Sequence, residues 1–233
     1  MVYVVYILAF LALAGWGLLL RVLYYYGQHP RLANGNKTAT SQKETPLTGY
    51  ERELAAIHEA GHAVVACFVG RRPVSVSISP ATSGIAATLF SPWGQRIRTR
   101  KTIRGDIAIL SAGRMAEESL RKITTSSCIH DLRTANQIAR EAVIKLGMGK
   151  RTGLCSYEDL DDKLALLSES ARKDIEDDIK DELAASAKIA MQILDSHGDL
   201  VEKLAETLLQ NETLTGPALE SVLPAGGQPH PVV

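Results

Sequence analysis

The sequence predicts an α+β fold that is mainly α-helical with a small β-sheet, built as a single domain behind one transmembrane helix. Apolar residues recur at helical spacing between Thr48 and Gly70, and again over most of the chain after about Arg104. Between these segments, residues 74–90 alternate β-branched and small polar side chains, which is typical of short strands. The chain opens with an apolar run, residues 2–20, that contains no charged side chain.

The run at residues 2–20 is long enough to cross a membrane, because about 20 helical residues at about 1.5 Å each span the roughly 30 Å hydrocarbon core. Arg21 ends the run, and three tyrosines at residues 24–26 lie where an interfacial aromatic belt is expected. The alternative is a cleaved signal peptide, which would need a basic start and a small-residue cleavage site. We therefore interpret residues 1–26 as an uncleaved transmembrane anchor.

Positive charge lies on only one side of this anchor. No Lys or Arg precedes it, whereas basic residues follow at Arg21, Arg31, Lys37 and Lys43. By the positive-inside rule, the chain is then a single-pass membrane protein with its domain in the cytoplasm. The three cysteines lack metal-ligand spacing and agree with a reducing compartment.

Composition marks the limits of the folded domain. Residues 27–47 are rich in Gly, Asn, Thr, Ser and Lys and are predicted to be a flexible linker. Residues 223–233 contain Gly, Pro and His and are predicted to be a disordered tail. The domain is therefore expected at residues 48–222. Because 26 basic residues balance 26 acidic ones in the whole chain, nucleic acid is not an expected partner.

The first helix of this domain carries a start signal and a stop signal. Thr48 and Glu51 have the spacing of a capping box, and Gly70 follows the last apolar residue as a C-terminal stop. Most residues between them are apolar or small, so the helix should be largely buried. Any polar side chains on it should be held rigidly.

Within that helix lies the sequence His58-Glu59-Ala60-Gly61-His62. The two histidines are four residues apart, so both imidazoles project from one helix face. That is the geometry in which two ligands bind a tetrahedral zinc ion, and Glu59 lies where it can take a proton from an activated water. The alternative is a chance meeting, but the chain has only 6 histidines. We interpret the motif as a zinc site with Glu59 as its catalytic base.

A catalytic zinc site needs a third protein ligand. The extended motif that supplies it locally is absent, because Val65 and Phe68 occupy its Gly and final His positions. Residues 63–105 contain no Asp, Glu or His. The candidates lie further along the chain at Asp106, Glu117, Glu118, His130 and Asp131.

Helical spacing favours Asp131 among these candidates. Residues 129–146 are predicted to form an amphipathic helix, preceded by good N-cap residues at 124–127. Asp131 falls on its apolar stripe, which runs to Leu146, whereas His130 falls on the polar face. A carboxylate on the inner face needs a cation or strong donors. The alternative is a first-turn Asp favoured by the helix dipole.

Glu117 and Glu118 are weaker candidates for the third ligand. Both occur in the segment Ser111–Glu118 of a predicted helix. Each is expected to accept hydrogen bonds behind the ligands, or to form a salt bridge, rather than to bind the metal directly.

Two strands are predicted between the helices. Residues 74–79 and 84–90 alternate as half-buried strands do, and the segment Pro80–Gly84 supplies a turn between them. A free strand edge beside the histidine helix would hold an extended peptide through main-chain hydrogen bonds. The alternative is an ordinary small sheet packed on helices, and the sequence agrees equally with both interpretations.

Four blocks of the sequence resemble the proteolytic domain of the FtsH-type membrane-anchored AAA metalloproteases. They are HEAGHAVV at His58–Val65, SAGRMAEE at Ser111–Glu118, DLRTA at Asp131–Ala135, and the long acidic helix after Leu167 together with Leu208–Leu214. In the family, the second block is G-G-R-A-A-E-E and the third is N-D-L-x-x-A-T. The blocks follow the family's order over roughly residues 50–223.

The resemblance implies that His58, His62 and Asp131 bind zinc and that Glu59 is the general base. It also implies protein or peptide substrates and assembly as a homo-hexamer. Two departures stand out. The residues before the aspartate, 127–130, are Ser-Cys-Ile-His rather than the family's Ala-x-Asn or Ala-x-Gln, and the chain contains no G-x-x-x-x-G-K-[ST] phosphate-binding loop.

These observations predict a membrane-anchored zinc metalloendopeptidase that cleaves flexible, unfolded or membrane-proximal proteins without its own ATPase, or with a separate ATPase partner. The alternative is a non-proteolytic partner or regulator of an ATP-dependent membrane protease complex. The intact Glu59 argues against this alternative, since a non-catalytic partner has no need of the base.

Overall fold

The computed structural model describes residues 47–79, 87–90, 97–158 and 166–224, which belong to one compact unit. The predicted anchor, the linker before residue 47, the turn at Pro80–Gly84 and the tail after residue 224 lie outside these ranges. No helix within the described ranges is both long enough and apolar enough to cross a lipid bilayer.

Six helices and three strands make up this described part of the chain. In chain order the elements are α1 (Gly49–Val69), β1 (Pro73–Ser77), β2 (Ala87–Phe90), α2 (Arg100–Arg121), a 3-10 turn (Ser126–Cys128), α3 (Ile129–Ile144), α4 (Glu169–Ser196), α5 (Gly198–Asn211), β3 (Thr213–Thr215) and α6 (Gly216–Val222). The predicted α+β class, mainly helical with a small sheet, is confirmed for these residues.

Helix α1 begins and ends where its sequence signals predict. The Thr48 side chain accepts a hydrogen bond from Glu51 N–H, and the Glu51 carboxylate accepts one from Thr48 N–H at 2.8 Å, which completes the capping box. Gly70 ends the helix at a φ of 89°, a left-handed conformation that favours glycine. Between these caps nearly every residue from Leu54 onward is buried, so the polar side chains of α1 lie inside the core.

Helix α2 crosses α1 at a close approach made by small residues. A Cβ at Gly61 would lie 2.7 Å from Ala116 Cβ and 2.8 Å from the Ala112 carbonyl oxygen, so only glycine fits there. The opposite side of α2 carries Ile103 and Ile107, which pack in a second hydrophobic cluster with α3 and α4. α2 therefore fixes the position of α1 relative to α3.

The ends of α2 and α3 differ from their predicted positions. α2 begins at Arg100, capped by Thr99, rather than at about Arg104. α3 ends at Ile144, and Leu146 is 51% exposed. The assignment of Leu146 to the apolar stripe is therefore wrong, because the chain leaves the helical path before reaching it.

The two predicted strands pair antiparallel, and a third strand that was not predicted joins them. β1 is central in the order β2-β1-β3, with Val76 opposite Thr88 on one side and Leu214 on the other. β3 has only three residues and follows Glu212, whose φ is 58°, so it is too short for its periodicity to be visible in the sequence. Among the described residues, β2 pairs along one edge only.

The C-terminal end of the described chain belongs to the core. Leu223, which composition assigned to the tail, is 6% exposed and packs in the hydrophobic cluster of α1. Leu219 on α6 is buried in the same cluster. The packed part of the domain therefore extends to Leu223.

Candidate metal centre

The two histidines of α1 face each other inside the protein. His58 and His62 are 4% and 6% exposed, and their Nε2 atoms lie 3.1 Å apart. His58 Nδ1 lies 2.7 Å from Glu117 Oε1, and His62 Nδ1 lies 2.7 Å from the Ile109 carbonyl oxygen. Since a carboxylate and a carbonyl only accept, both Nδ1 atoms donate, and the two Nε2 lone pairs point at one another. Such lone pairs repel unless a cation lies between them.

Asp131 brings a third donor to the same point. It lies in the first turn of α3, and its Oδ2 is 3.3 Å from His58 Nε2 and 3.4 Å from His62 Nε2. Ligand atoms at about 2.0 Å from a tetrahedral zinc ion are about 3.3 Å from each other, so the three separations match a zinc site. His58, His62 and Asp131 form a cluster that can hold a metal ion.

Gly113 on α2 keeps this cluster open. A Cβ at this position would lie 2.6 Å from His58 Nε2 and 2.6 Å from His62 Nε2. Any other residue would push both imidazoles away from the point where their lone pairs meet. The absence of a side chain here therefore fits the donor set to a bound cation.

The charges around the cluster favour a cation. Burial alone would lower the pKa of His58, but its hydrogen bonds with Asp131 and Glu117 and the charge of Glu59 raise that pKa to about 9. Burial alone would raise the pKa of Asp131, but its hydrogen bonds with the two histidines hold it well below the ordinary range. The raised pKa of His58 shows that the cluster stabilises positive charge, and the lowered pKa of Asp131 shows that its carboxylate stays ionised beside it. A proton or a metal cation can supply that positive charge.

Glu117 lies directly behind His58. It is 1% exposed and accepts hydrogen bonds from Thr125 N–H at 2.9 Å, the Thr125 hydroxyl at 3.0 Å and the Ser127 hydroxyl at 2.9 Å. Burial would raise the pKa of Glu117, but its hydrogen bonds with His58 and Ser127 lower it. Glu117 is thus an ionised acceptor that fixes the tautomer of His58. Ser127, one of the residues that depart from the family pattern, takes part in this support.

The Glu59 side chain points toward β2 of the sheet. It is 5% exposed, and its Oε2 accepts a hydrogen bond from the Thr88 hydroxyl on β2 at 2.6 Å. Thr88 was not singled out by the sequence, because only the folded sheet brings it to α1.

Ile109, Gly113 and Glu117 were also not recognised as a set. They are spaced four residues apart and line one face of α2, where each contacts a histidine of α1. Their spacing of four residues places them on one helix face, and this was the signal in the sequence that could have identified them.

The other candidates for the third ligand lie elsewhere. Asp106 forms ion pairs with Arg71 at 2.7 Å and Arg98 at 2.9 Å. Glu118 and His130 are exposed. Their side chains do not join the cluster, in agreement with the polar face predicted for His130.

With this geometry established, comparison with known proteins identifies the family. The family model described as Peptidase family M41 matches residues 46–222. The chain belongs to peptidase family M41.

Three relatives illustrate the similarity of this M41 chain to known proteins. It is 29% identical to the ATP-dependent zinc metalloprotease FtsH 2 of Methylacidiphilum infernorum (isolate V4), over 82% of the chain and 32% of the relative. It is 33% identical to FtsH 2 of Sphaerobacter thermophilus, over 74% of the chain and 27% of the relative. It is 32% identical to the YME1 homolog of Schizosaccharomyces pombe, over 78% of the chain and 26% of the relative. The match thus spans about a third or less of each relative.

Family membership agrees with the donor chemistry of the cluster. M41 is a peptidase family, and the relatives are named as zinc metalloproteases. Two imidazole nitrogens and one carboxylate oxygen are a ligand set that zinc accepts in catalytic sites. The residues present therefore fit zinc.

Proposed function

We propose that this chain is a membrane-anchored zinc metalloendopeptidase that hydrolyses flexible, unfolded or membrane-proximal proteins. The observation that carries the proposal is the convergence of His58, His62 and Asp131 on one point, with the buried carboxylate of Glu59 beside the first histidine. Catalytic zinc sites use three protein ligands, whereas structural sites use four. Three are present among the described residues.

Each side chain has a definite task in this reaction. When bound, zinc supplies a Lewis acid that polarises the scissile carbonyl and lowers the pKa of water. Glu59 takes a proton from the attacking water, so that an O–H bond breaks and the oxygen bonds to the carbonyl carbon. Glu59 then passes that proton to the leaving nitrogen as the C–N bond breaks. Glu117 and the Ile109 carbonyl hold the histidine rings in the required tautomer throughout.

The open edge of β2 is a reason to propose that the substrate is a protein. β2 pairs with β1 along one edge, and within the described ranges its other edge has no partner. Thr88 ties this strand to Glu59, so a peptide added to the edge would run past the base. Main-chain pairing of this kind holds an extended chain with little demand on its sequence.

The anchor and the partners belong to the same proposal and rest on sequence. Residues 2–20 carry no charge, and basic residues follow them, which supports a single-pass anchor with the domain in the cytoplasm. The relatives are named as ATP-dependent, which supports recruitment of a separate ATPase. Assembly as a homo-hexamer is what the resemblance to the family implies. Alkaline extraction of membranes, with protease protection of the domain, tests the anchor and its orientation.

The deciding experiment measures degradation of a quenched fluorescent casein by the zinc-loaded full chain in detergent, without ATP. We expect cleavage by the wild type, its loss with a chelator and its loss in Glu59→Gln. Glu118→Gln is the matched control, because that glutamate is exposed on α2. Equal cleavage by Glu59→Gln would overturn the mechanism. A zinc-loaded wild type that cleaves nothing would instead favour the non-proteolytic partner.

A further inference from the structure

The contact between Thr88 and Glu59 is the least expected feature of the site. The Thr88 hydroxyl lies 2.6 Å from Glu59 Oε2 and 3.3 Å from the Glu59 carbonyl oxygen. Among the described residues, no other group donates a hydrogen bond to this carboxylate. A carboxylate that is only 5% exposed needs such a donor, and a donor to an ionised acceptor forms one of the stronger hydrogen bonds.

Thr88 is held firmly enough to orient a side chain on α1. It stands opposite Val76, which is fully buried, in the β1–β2 ladder. At the end of the same strand, the Phe90 ring lies 5.0 Å from the Arg71 guanidinium, and Arg71 pairs with Asp106 of α2 at 2.7 Å. The sheet on one side and α2 on the other therefore brace the strand that carries the hydroxyl.

We propose that Thr88 is a positioning residue, which holds Glu59 through Oε2 and leaves Oε1 to accept the proton of the attacking water. This inference rests on the proposed peptidase function. The O–H bond of water breaks as the Oε1–H bond forms, and the same proton later moves to the leaving nitrogen. Because Thr88 lies on the strand with the open edge, one residue links the surface offered to the peptide with the base that acts on it.

The test compares three variants of the zinc-loaded full chain on a fluorogenic peptide. Thr88→Val keeps the branched shape but removes the hydroxyl, Thr88→Ser keeps the hydroxyl, and Thr213→Val makes the same change on β3, where the threonine is exposed. We expect Thr88→Val to lower kcat about 10- to 100-fold, with KM and bound zinc near the wild-type values. Thr88→Ser should recover most of the activity, and Thr213→Val should match the wild type. A wild-type kcat in Thr88→Val, or equal impairment in Thr88→Ser, would overturn the proposal.

Crystal structures of the wild type and Thr88→Val give a second readout that does not need activity. In the wild type, Glu59 Oε2 should contact the Thr88 hydroxyl, and in Thr88→Val the carboxylate should leave that orientation. An unchanged Glu59 in the variant would overturn the proposal. If the wild type bound zinc but cleaved no peptide, the peptidase function would fail, and this structural comparison would still decide whether Thr88 positions Glu59.

Discussion

Glu117 Oε1 accepts the Nδ1–H of His58 at 2.7 Å, and through this bond a residue of α2 decides which nitrogen of an α1 histidine faces His62 and Asp131. The hydrogen bond leaves the Nε2 lone pair of His58 directed at Asp131 and His62. The supports of Glu117 come from the segment before α3, so three separate parts of the chain determine one ring orientation.

Glu117→Gln should lower zinc affinity about 10- to 100-fold, as is usual when the partner of a metal-binding histidine is lost. The amide removes a negative charge and places an NH2 group against the donors of Thr125. Competition with a chromophoric chelator measures the affinity. Glu118→Gln is the control, because that neighbouring glutamate is exposed and should leave the affinity unchanged. Equal effects of the two substitutions would contradict the assigned role of Glu117.

Gly113→Ala should weaken zinc binding because its Cβ would lie 2.6 Å from the Nε2 atoms of both histidines. Overpacking of this kind costs about 1–3 kcal/mol, which is about a 5- to 150-fold loss of affinity. The same chelator competition measures it. Gly49→Ala is the matched control, since a Cβ there meets nothing within 4 Å. If Gly113→Ala kept the wild-type zinc affinity, the metal would bind somewhere other than the cluster of His58, His62 and Asp131.

Asp131→Asn should reduce zinc affinity by about 100-fold or more. Losing a carboxylate that binds the metal directly should cost at least as much affinity as losing a group that only hydrogen-bonds to a metal ligand. Elemental analysis after dialysis against a weak chelator gives the metal content per chain. His130→Gln provides the comparison, since this adjacent side chain is exposed. Loss of zinc in His130→Gln, with zinc retained in Asp131→Asn, would reverse the assignment of the third ligand.

Deprotonation of His58 on zinc binding should contribute about one released proton per chain at pH 8, and less as the pH rises above 9. The pKa of His58 is raised to about 9, so at pH 8 the metal-free ring is largely protonated and must lose that proton to bind zinc. The same raised pKa stabilises the metal-free fold below about pH 6.5, and this contribution is lost as the pH rises through about 9. Calorimetric titration in buffers of different ionisation enthalpy measures the proton number. A release that did not change between pH 8 and pH 10 would contradict this assignment.

Asp178→Asn should lower the free energy of unfolding by about 2–4 kcal/mol at pH 7. Asp178 is 1% exposed and accepts hydrogen bonds from the backbone N–H groups of Arg151 and Thr152, which would face an amide NH2 in the variant. Burial would raise its pKa, but these hydrogen bonds lower it to about 2.

The difference in the free energy of unfolding between wild type and Asp178→Asn should decrease at acidic pH. Because the folded pKa lies below the unfolded value of about 3.9, the contribution of the carboxylate is complete above about pH 4 and is lost as the pH falls toward 2. Urea denaturation at several pH values measures the difference. Asp195→Asn, on the exposed side of α4, should behave as the wild type does. A difference that persisted undiminished at pH 2 would contradict the assigned cause.

Local signals in the sequence predicted helices better than strands. The capping box at Thr48 and the glycine at Gly70 set both ends of α1, because each acts within one helical turn. β3 was missed, since a three-residue strand is defined by its partner β1 and not by its own periodicity. Leu146 was misplaced because apolar spacing carries no information on where a chain leaves the helix.

The sequence by itself determined the chemistry of the site. The four-residue spacing of His58 and His62 and the inward stripe of α3 are properties of single helices, and they pointed to the three side chains that the fold brings within 3.1–3.4 Å of one another. Only the tertiary structure decided the surroundings. Gly113 and Thr88 act through contacts between elements far apart in the chain, and no helical or strand period links them to the residues they touch.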